Sequence, residues 1–378
     1  MRYFLVAGEA SGDLHGSDLV KHLMQADSEA VISCWGGDKM EKEGATLLKH
    51  YRELAIMGFT EVVSNARRLL RYMKQVKSEI LEFRPDVVIL IDYPGFNLRI
   101  ARFIKEQGIP VYYYISPKIW AWRQSRIKKI KQLVDRMYVI FPFETAFYAR
   151  HDYRVIYFGN PLVDSVARGM SEALEPKMLR EKYGLDNRPV IALLAGSRVQ
   201  EVSNLLPAMV SIRDSYRDYQ FIVAGIRAVP DHLYDSILSG TDVRVIYDQT
   251  YSILKCSEMA LVTSGTATLE TALARVPQVV CYRTSPLTYR LAKAFVKIRF
   301  ISLVNLIMDR EVVRELIQDD LNDRNLAVEI NSLLPGGWKR EVMLSGYNEL
   351  SGLLDGKGSG QKVARDIFKT LSLLKNVN

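Results

Sequence analysis

The sequence predicts an α/β protein of two Rossmann-like, doubly wound domains that face each other across a cleft. Two observations predict it: short apolar runs alternate with longer amphipathic ones, and the alternation restarts at Pro189 after a polar stretch at 167–188. Such strand–helix alternation implies a parallel sheet with helices on both faces. In the first half the expected strands are 3–7, 31–35, 87–91, 111–115 and 137–140. Several are β-branched throughout, as strands buried on both faces are. The expected helices between them are 18–25, 66–83, 98–107, 125–133 and 144–149. In the second half, strands are expected at 190–194, 221–224, 243–247, 259–263 and 278–282, with helices between. Gly169, Pro176, Gly184 and Asn187 mark the junction. A last helix, 360–374, follows a glycine-rich hinge at 352–360 and packs back on the first domain. The expected division is therefore 1–170 with 360–378, and 185–350.

Composition narrows the class of protein. A chain of 378 residues suits two domains of ordinary size. Hydrophobic residues make up 48% and charged residues 25%, the balance of a folded globular protein. The net charge of +8 favours an anionic partner: a nucleic acid, a phosphorylated ligand or a membrane surface. Cys34, Cys256 and Cys281 are too few and too scattered for a disulfide framework or a zinc cluster, so a reducing cytosol is the simplest compartment. The opening apolar run, 3–7, is shorter than the roughly 7–15 residues of a signal peptide. No stretch approaches the ~20 apolar residues of a spanning helix. Any membrane contact is expected to be peripheral.

Three loops carry chemistry. Gly8-Glu9-Ala10-Ser11-Gly12-Asp13 follows the first strand. Its small residues let backbone approach a ligand, while Glu9 and Asp13 would repel a pyrophosphate, so it suits hydroxyl recognition or base work. Read blandly, it is a glycine turn with a capping Asp13; His15 is either a base or an exposed or capping residue. Ala195-Gly196-Ser197-Arg198 opens the second half, with amides and a forked cation placed for a phosphate. Alternatively, Arg198 simply pairs with Glu201 on a surface turn. Ser264-Gly265-Thr266-Ala267-Thr268 ends a strand and opens a helix, with Glu270 one turn on. Its hydroxyls can cap the helix or bind oxygens, and a carboxylate at Glu270 suits ribose hydroxyls. No metal-ligand spacing and no GxxxxGK[ST] loop accompanies them, so no metal or cofactor is expected. Three basic, apolar stretches remain, at 66–74, 118–129 and 289–297. Each reads as a solvated helix face or as a membrane-surface segment, with Leu69, Leu70, Met73, Trp120 and Trp122 as the contact candidates. Their aromatics would also allow single-stranded nucleic acid, but the loops suit a small ligand better.

Several of these residues stand in motifs that resemble the lipid-A-disaccharide synthase family. They are LVAGEASGD at the start, MGFTEVV at 57–63, SPKIWAWRQSRIKKI at 116–130, AGSRVQEV at 195–202, SGTATLE at 264–270 and SLVNLIMDREVVRELIQ at 302–318. The resemblance runs from about residue 3 to about residue 320. It implies an inverting glycosyltransferase of the GT-B type, peripheral at the cytoplasmic face of the inner membrane. The donor would be UDP-2,3-diacylglucosamine and the acceptor 2,3-diacylglucosamine 1-phosphate, giving a β-1,6 disaccharide 1-phosphate and UDP. By position, Gly196, Ser197, Arg198 and Glu201 would meet the diphosphate. Ser264, Gly265, Thr266 and Glu270 would hold phosphate and ribose, and Tyr282, Asn305 and Glu315 would complete the pocket. The partners implied are these two acylated sugars and the anionic membrane surface, with no nucleic acid; an oligomer is compatible with this reading.

One departure bears on the base. The family pattern DxPDFN is here Asp92-Tyr93-Pro94-Gly95-Phe96-Asn97, so Gly95 stands where the favoured second acid would be. Asp92, Glu9 and Asp13 remain as candidates; Asp92 is preferred because it follows a buried strand directly, with Glu9 as the alternative. A UDP-GlcNAc epimerase or a transferase with a soluble acceptor is the competing enzyme reading. A non-enzymatic nucleotide- or RNA-binding protein is the competing class.

Overall fold

The computed structural model describes residues 1–55, 66–122, 124–286, 289–290, 299–354 and 356–377. The motif at 57–63, Arg123 and most of the third basic stretch, 291–297, lie outside the described residues. The chain divides into two compact units, Met1–Pro161 with Gly356–Asn378, and Leu162–Asp355.

The first unit contains β1 (Arg2–Ala7), α1 (Ala10–Ala26), β2 (Val31–Gly36), α2 (Asp38–Lys42), β3 (Thr46–His50), α3 (Tyr51–Ala55), α4 (Ala66–Phe83), β4 (Val87–Ile91) and α5 (Pro94–Glu106). There follow β5 (Val111–Tyr114), α6 (Ile127–Leu133), β6 (Arg136–Val139), α7 (Pro142–Ala149) and β7 (Ile156–Tyr157). Its sheet runs β3-β2-β1-β4-β5-β6-β7, parallel in every pairing. The order reverses between β1 and β4, whose ends lie side by side with Ala7 opposite Ile91. In a doubly wound sheet the crevice beyond the strand C-termini at such a reversal is where ligands bind. β4 is buried along its whole length, which is why its Val-Val-Ile-Leu-Ile run carries no polar alternation.

The second unit contains α8 (Pro161–Glu172), α9 (Pro176–Tyr183), β8 (Val190–Leu194), α10 (Val199–Val210), β9 (Gln220–Gly225), α11 (Asp231–Leu238) and β10 (Arg244–Tyr247). There follow α12 (Thr250–Cys256), β11 (Ser257–Thr263), α13 (Thr266–Leu273), β12 (Gln278–Tyr282), α14 (Leu303–Met308) and β13 (Arg314–Ile317). α15 (Asp323–Leu333) and α16 (Arg340–Leu354) close it. Its sheet runs β10-β9-β8-β11-β12-β13, again all parallel, with the reversal between β8 and β11. The last helix, α17 (Ser359–Val377), belongs to the first unit and packs along α1.

Three expectations need correcting. α1 starts at Ala10, not 18: most of the loop read as a glycine turn is helix, with Glu9 as its N-cap. α5 likewise starts at Pro94, where the ring's fixed φ suits the first helical turn. The unit boundary also falls earlier than 167–188, because Gly169 of α8 packs under the ring of Tyr251 in the second unit.

Candidate functional site

At the β1/β4 reversal a pocket of about 200 Å³ is lined by Glu9, Asp92, Pro94, Lys118, Ile119, Trp122 and Arg126. Glu9 follows β1, Asp92 follows β4, and Lys118 to Arg126 come from the segment after β5. The ring of Tyr93 lies against Gly8, where an added Cβ would sit 2.2 Å from it, so only glycine lets the two strand ends close up here.

The backbone at this spot is held in an unfavourable conformation. Asp92 and Tyr93 have φ of 44° and 47°, and Ile115 at the end of β5 has φ of 65°. The left-handed region costs a non-glycine residue of order 1–3 kcal/mol, and such strain gathers at functional sites. The surroundings enforce it. The carbonyl of Asp92 accepts from buried Asn97 Nδ2 at 2.7 Å and from the Tyr113 hydroxyl at 2.5 Å, and its amide donates to Tyr114 at 3.1 Å. Asn97 also donates to the carbonyl of Ile91 at 3.2 Å. With its backbone anchored, Asp92 lines the pocket. Burial, aided by Glu9, pushes that carboxyl up to about 6 against the opposing pull of Lys118 and the Tyr93 amide. A carboxylate with such a pKa is a stronger base than an ordinary aspartate yet is still ionised at neutral pH.

The other first-unit candidates separate from this pair. Asp13 is buried, and its carboxylate accepts the amides of Lys39 at 3.3 Å and Met40 at 3.1 Å. It caps α2, and it is not among the residues lining the pocket. His15 is buried and neutral, pushed down to about 4 by desolvation. Gly95 is exposed in the first turn of α5, where an added Cβ meets nothing within 4 Å. Space does not exclude an acid there; this chain simply lacks it.

Glu144 is the residue that sequence reasoning missed. It is buried in the first turn of α7 and accepts from the Ser116 hydroxyl, Trp120 Nε1 at 3.2 Å, and the amides of Ile140 at 3.2 Å and Phe141 at 3.0 Å. It thereby ties the segment carrying Lys118 and Trp122 to the next strand's end. Burial pushes its carboxyl up to about 7 in spite of those donors. Its only sequence signal was an acid four residues past the expected strand 137–140.

In the second unit the expected residues gather at the β8/β11 reversal. Gly196 has φ of 116°, and an added Cβ would lie 2.5 Å from Glu201 Oε2. The Glu201 carboxylate accepts the amides of Ser197 at 2.9 Å and Arg198 at 3.3 Å, and pairs with the Arg198 guanidinium at 3.6 Å. The surface pairing weighed from sequence is thus present, and an anion docking on these amides must displace Glu201. Gly265 is the N-cap of α13, and Thr268 Oγ1 donates back to its carbonyl at 2.8 Å, while Thr266 is exposed. Ser264 Oγ donates to the carbonyl of Ile301 at 2.9 Å. Tyr251 donates to Glu270 at 2.9 Å, and burial pushes the Glu270 carboxyl up. Tyr282 ends β12, its hydroxyl pushed up by burial and by Glu201.

Asn305 and Glu315 stand behind this surface. Asn305 is fully buried; its oxygen accepts the amides of Val312 and Val313, and its nitrogen donates to the Val313 carbonyl and to Glu315. Glu315 also accepts the amides of Ile301 and Ser302. Both hold the segment that meets Ser264.

The expected membrane-contact residues also divide. Leu69 and Met73 pack against the first unit's core, and Trp120 stands edge-on to Phe141 and Phe143. Leu70, 68% exposed among exposed Arg67, Arg71 and Lys74, and Trp122, 38% exposed, remain outward. No helix among the described residues is long and apolar enough to cross a membrane. Among the described residues no group of three or more His, Cys, Asp or Glu could hold a metal ion.

Comparison with known proteins matches this architecture. The fold is shared with UDP-GlcNAc 2-epimerase from Neisseria meningitidis bound to UDP-GlcNAc, at a TM-score of 0.62, 13% identity and coverage of 99% of this chain and 100% of that one. It is shared equally with the calicheamicin glycosyltransferase CalG4, at a TM-score of 0.60, 14% identity and 98% coverage of both. Sequence relatives are far nearer. Lipid-A-disaccharide synthase of Geobacter sulfurreducens is 38% identical over 379 residues, covering 98% of this chain and 97% of its own. That of Coxiella burnetii (strain CbuG_Q212) is 35% identical over 373 residues, with 97% and 98% covered. The family model for lipid-A-disaccharide synthetase matches residues 3–351. The chain belongs to the lipid-A-disaccharide synthase family.

Proposed function

We propose that the protein transfers 2,3-diacylglucosamine from UDP to the 6-hydroxyl of 2,3-diacylglucosamine 1-phosphate, with inversion, giving the β-1,6 disaccharide 1-phosphate and UDP. The observation that carries the reading is the pairing of Glu9 and Asp92 in one pocket at a sheet reversal, with Asp92 pushed up to about 6. Asp92 takes the hydroxyl proton while the oxygen attacks the anomeric carbon from the face opposite UDP. The bond from that carbon to the diphosphate breaks, and its electron pair leaves with UDP. Arg198 and the Ser197 and Arg198 amides meet the charge developing there, once the diphosphate has replaced the Glu201 carboxylate. Exposed Leu70, flanked by Arg67, Arg71 and Lys74, supports peripheral contact with an anionic inner-membrane surface.

Incubating the purified protein with both acylated substrates and measuring UDP release tests the reaction; incubating it with UDP-GlcNAc alone tests epimerisation. Arg198 is 74% exposed, so Arg198→Ala is expected to fold normally and to lose about 100-fold or more in turnover. Wild-type turnover in that variant removes Arg198 from the mechanism.

A further inference from the structure

Glu270 is a carboxylate with unused hydrogen-bonding capacity. It sits one turn into α13, which opens at the β8/β11 reversal, where ligands of a doubly wound sheet bind. The residue is partly buried, and burying a carboxylate is unfavourable unless its oxygens are hydrogen-bonded or paired with a cation. Among the described residues no cation pairs with it, and its carboxylate takes one hydrogen bond, from the Tyr251 hydroxyl to Oε1 at 2.9 Å. An ionised carboxyl accepts about four such bonds. Oε2 accepts from no described residue, yet it is not among the side-chain oxygens sealed from solvent without a partner.

Tyr251 is itself fixed. It lies in the first turn of α12, with its ring packed against the core of the second unit. Gly169 of α8 backs that ring, since an added Cβ there would lie 2.3 Å from it. Next in the chain, Ser252 Oγ accepts the Leu174 amide at 3.0 Å, which ties α12 to the stretch after α8. Glu270 is therefore held at both ends, by its own helix at Cα and by α12 at Oε1.

We infer that Tyr251 is a positioning residue for nucleotide recognition: it orients the Glu270 carboxylate so that its open acceptor sites meet the vicinal hydroxyls of a ribose. A carboxylate only accepts, so it selects N–H or O–H donors and repels a diphosphate. Uracil offers a single N–H, whereas ribose offers two adjacent O–H donors that match two carboxylate oxygens. Tyr251 acts through Glu270 and has no assigned contact of its own. This rests on the transfer reading above, in which the second unit holds UDP, and goes further by assigning what the ribose meets and which residue aims it.

Calorimetric titration with UDP and with 2′,3′-dideoxy-UDP tests this in the wild type, Tyr251→Phe, Glu270→Ala and the double variant. Phenylalanine keeps the ring and its packing on Gly169 and removes only the hydroxyl. The wild type is expected to bind UDP about 10–100-fold more tightly than the dideoxy compound, the range for hydrogen bonds to a charged group. Tyr251→Phe should cut that preference by about 3–10-fold through UDP alone, its Kd for the dideoxy compound staying within about twofold. Glu270→Ala should abolish the preference, and adding Tyr251→Phe to it should change nothing further, because the carboxylate to be placed is gone. A purely structural role would weaken both nucleotides together. Equal losses for both nucleotides, an unchanged preference in Tyr251→Phe, or additive losses in the double variant each overturn the positioning role. A wild type that binds the two nucleotides equally overturns the ribose assignment and leaves the transfer reading standing. A wild type that binds no UDP overturns the transfer reading itself, and this inference with it.

Discussion

Asp92 combines an unfavourable backbone, a buried carboxyl and a nearby lysine, and each has a measurable consequence. Its carboxyl titrates near 6, so kcat/KM is expected to fall about tenfold for each pH unit below that value and to level above it. Asp92→Asn should cost about 10²–10⁴-fold in turnover and abolish this acidic limb. A limb that survives in Asp92→Asn assigns the proton to Glu9 instead. Stability should move the other way. A carboxyl raised from 3.8 to about 6 on folding loses stability as pH rises from about 4 to about 6, because the folded state keeps its proton longer than the unfolded chain. Asp92→Asn is therefore expected to melt above wild type at pH 7, with the gap closing below about pH 4. This residue was legible in the sequence because an acid directly after a wholly apolar strand has few other places to go. Asp13 was not separable from it: spacing cannot show that its carboxylate is consumed by α2, an element 27 residues away in its contact to Met40. The hydrogen bonds by which Asn305 and Glu315 hold the 301–313 backbone were illegible for the same reason, since a motif gives a residue's neighbourhood but not the direction of its hydrogen bonds.

At the scale of elements, Lys118, Ile119, Trp122 and Arg126 line the proposed acceptor pocket, and Glu144 of α7 bonds to Ser116 and Trp120 beside them. In Glu144→Gln one acceptor oxygen becomes an amide donor facing groups that are themselves donors: a hydroxyl and an indole on one side, two backbone amides on the other. The expected cost is about 1–3 kcal/mol of stability, read from the denaturant midpoint. The acceptor KM should rise more than the donor KM, because Lys118 and Trp122 lose their support. An unchanged acceptor KM would mean that the Ile115–Tyr138 backbone hydrogen bond alone holds the segment. Elements were legible where burial was one-sided or complete. β1, β4, β8 and β11 carry the site and were all read, since interior strands cannot hide their apolar runs. The edge strands β3 and β13 were missed, because Thr-Leu-Leu-Lys-His and Arg-Glu-Leu-Ile alternate exposed with covered positions no more sharply than a loop does. The starts of α1 and α5 were missed because glycine and proline read as breakers, although both are tolerated in a first helical turn.

For the whole molecule, the first unit is assembled from two stretches far apart in sequence, Met1–Pro161 and Gly356–Asn378, so its stability depends on a helix that follows the whole second unit. α17 buries Val363, Ala364, Ile367 and Leu371 along one face. Asp366, midway along, accepts from Arg136 Nε and Nη2 at 2.9 Å each and from the Tyr138 hydroxyl at 2.7 Å, which joins the helix to β6. The Arg136 guanidinium is a bidentate partner, so removing the carboxylate strands a part-buried cation and a phenol together. Asp366→Ala is expected to cost about 1.5–3 kcal/mol, the range for hydrogen bonds to charged groups. For a unit of this size each kcal/mol shifts the melting point by about 2–4 °C. On the proposed reading UDP binds the second unit, and a ligand raises only the transition of the body that binds it. In scanning calorimetry, the expected outcome is a lowered transition that UDP does not move, beside a UDP-sensitive transition left where it is in wild type. If the substitution instead lowers the UDP-sensitive transition, α17 serves the second unit, and the assignment of the C-terminal helix to the first is wrong.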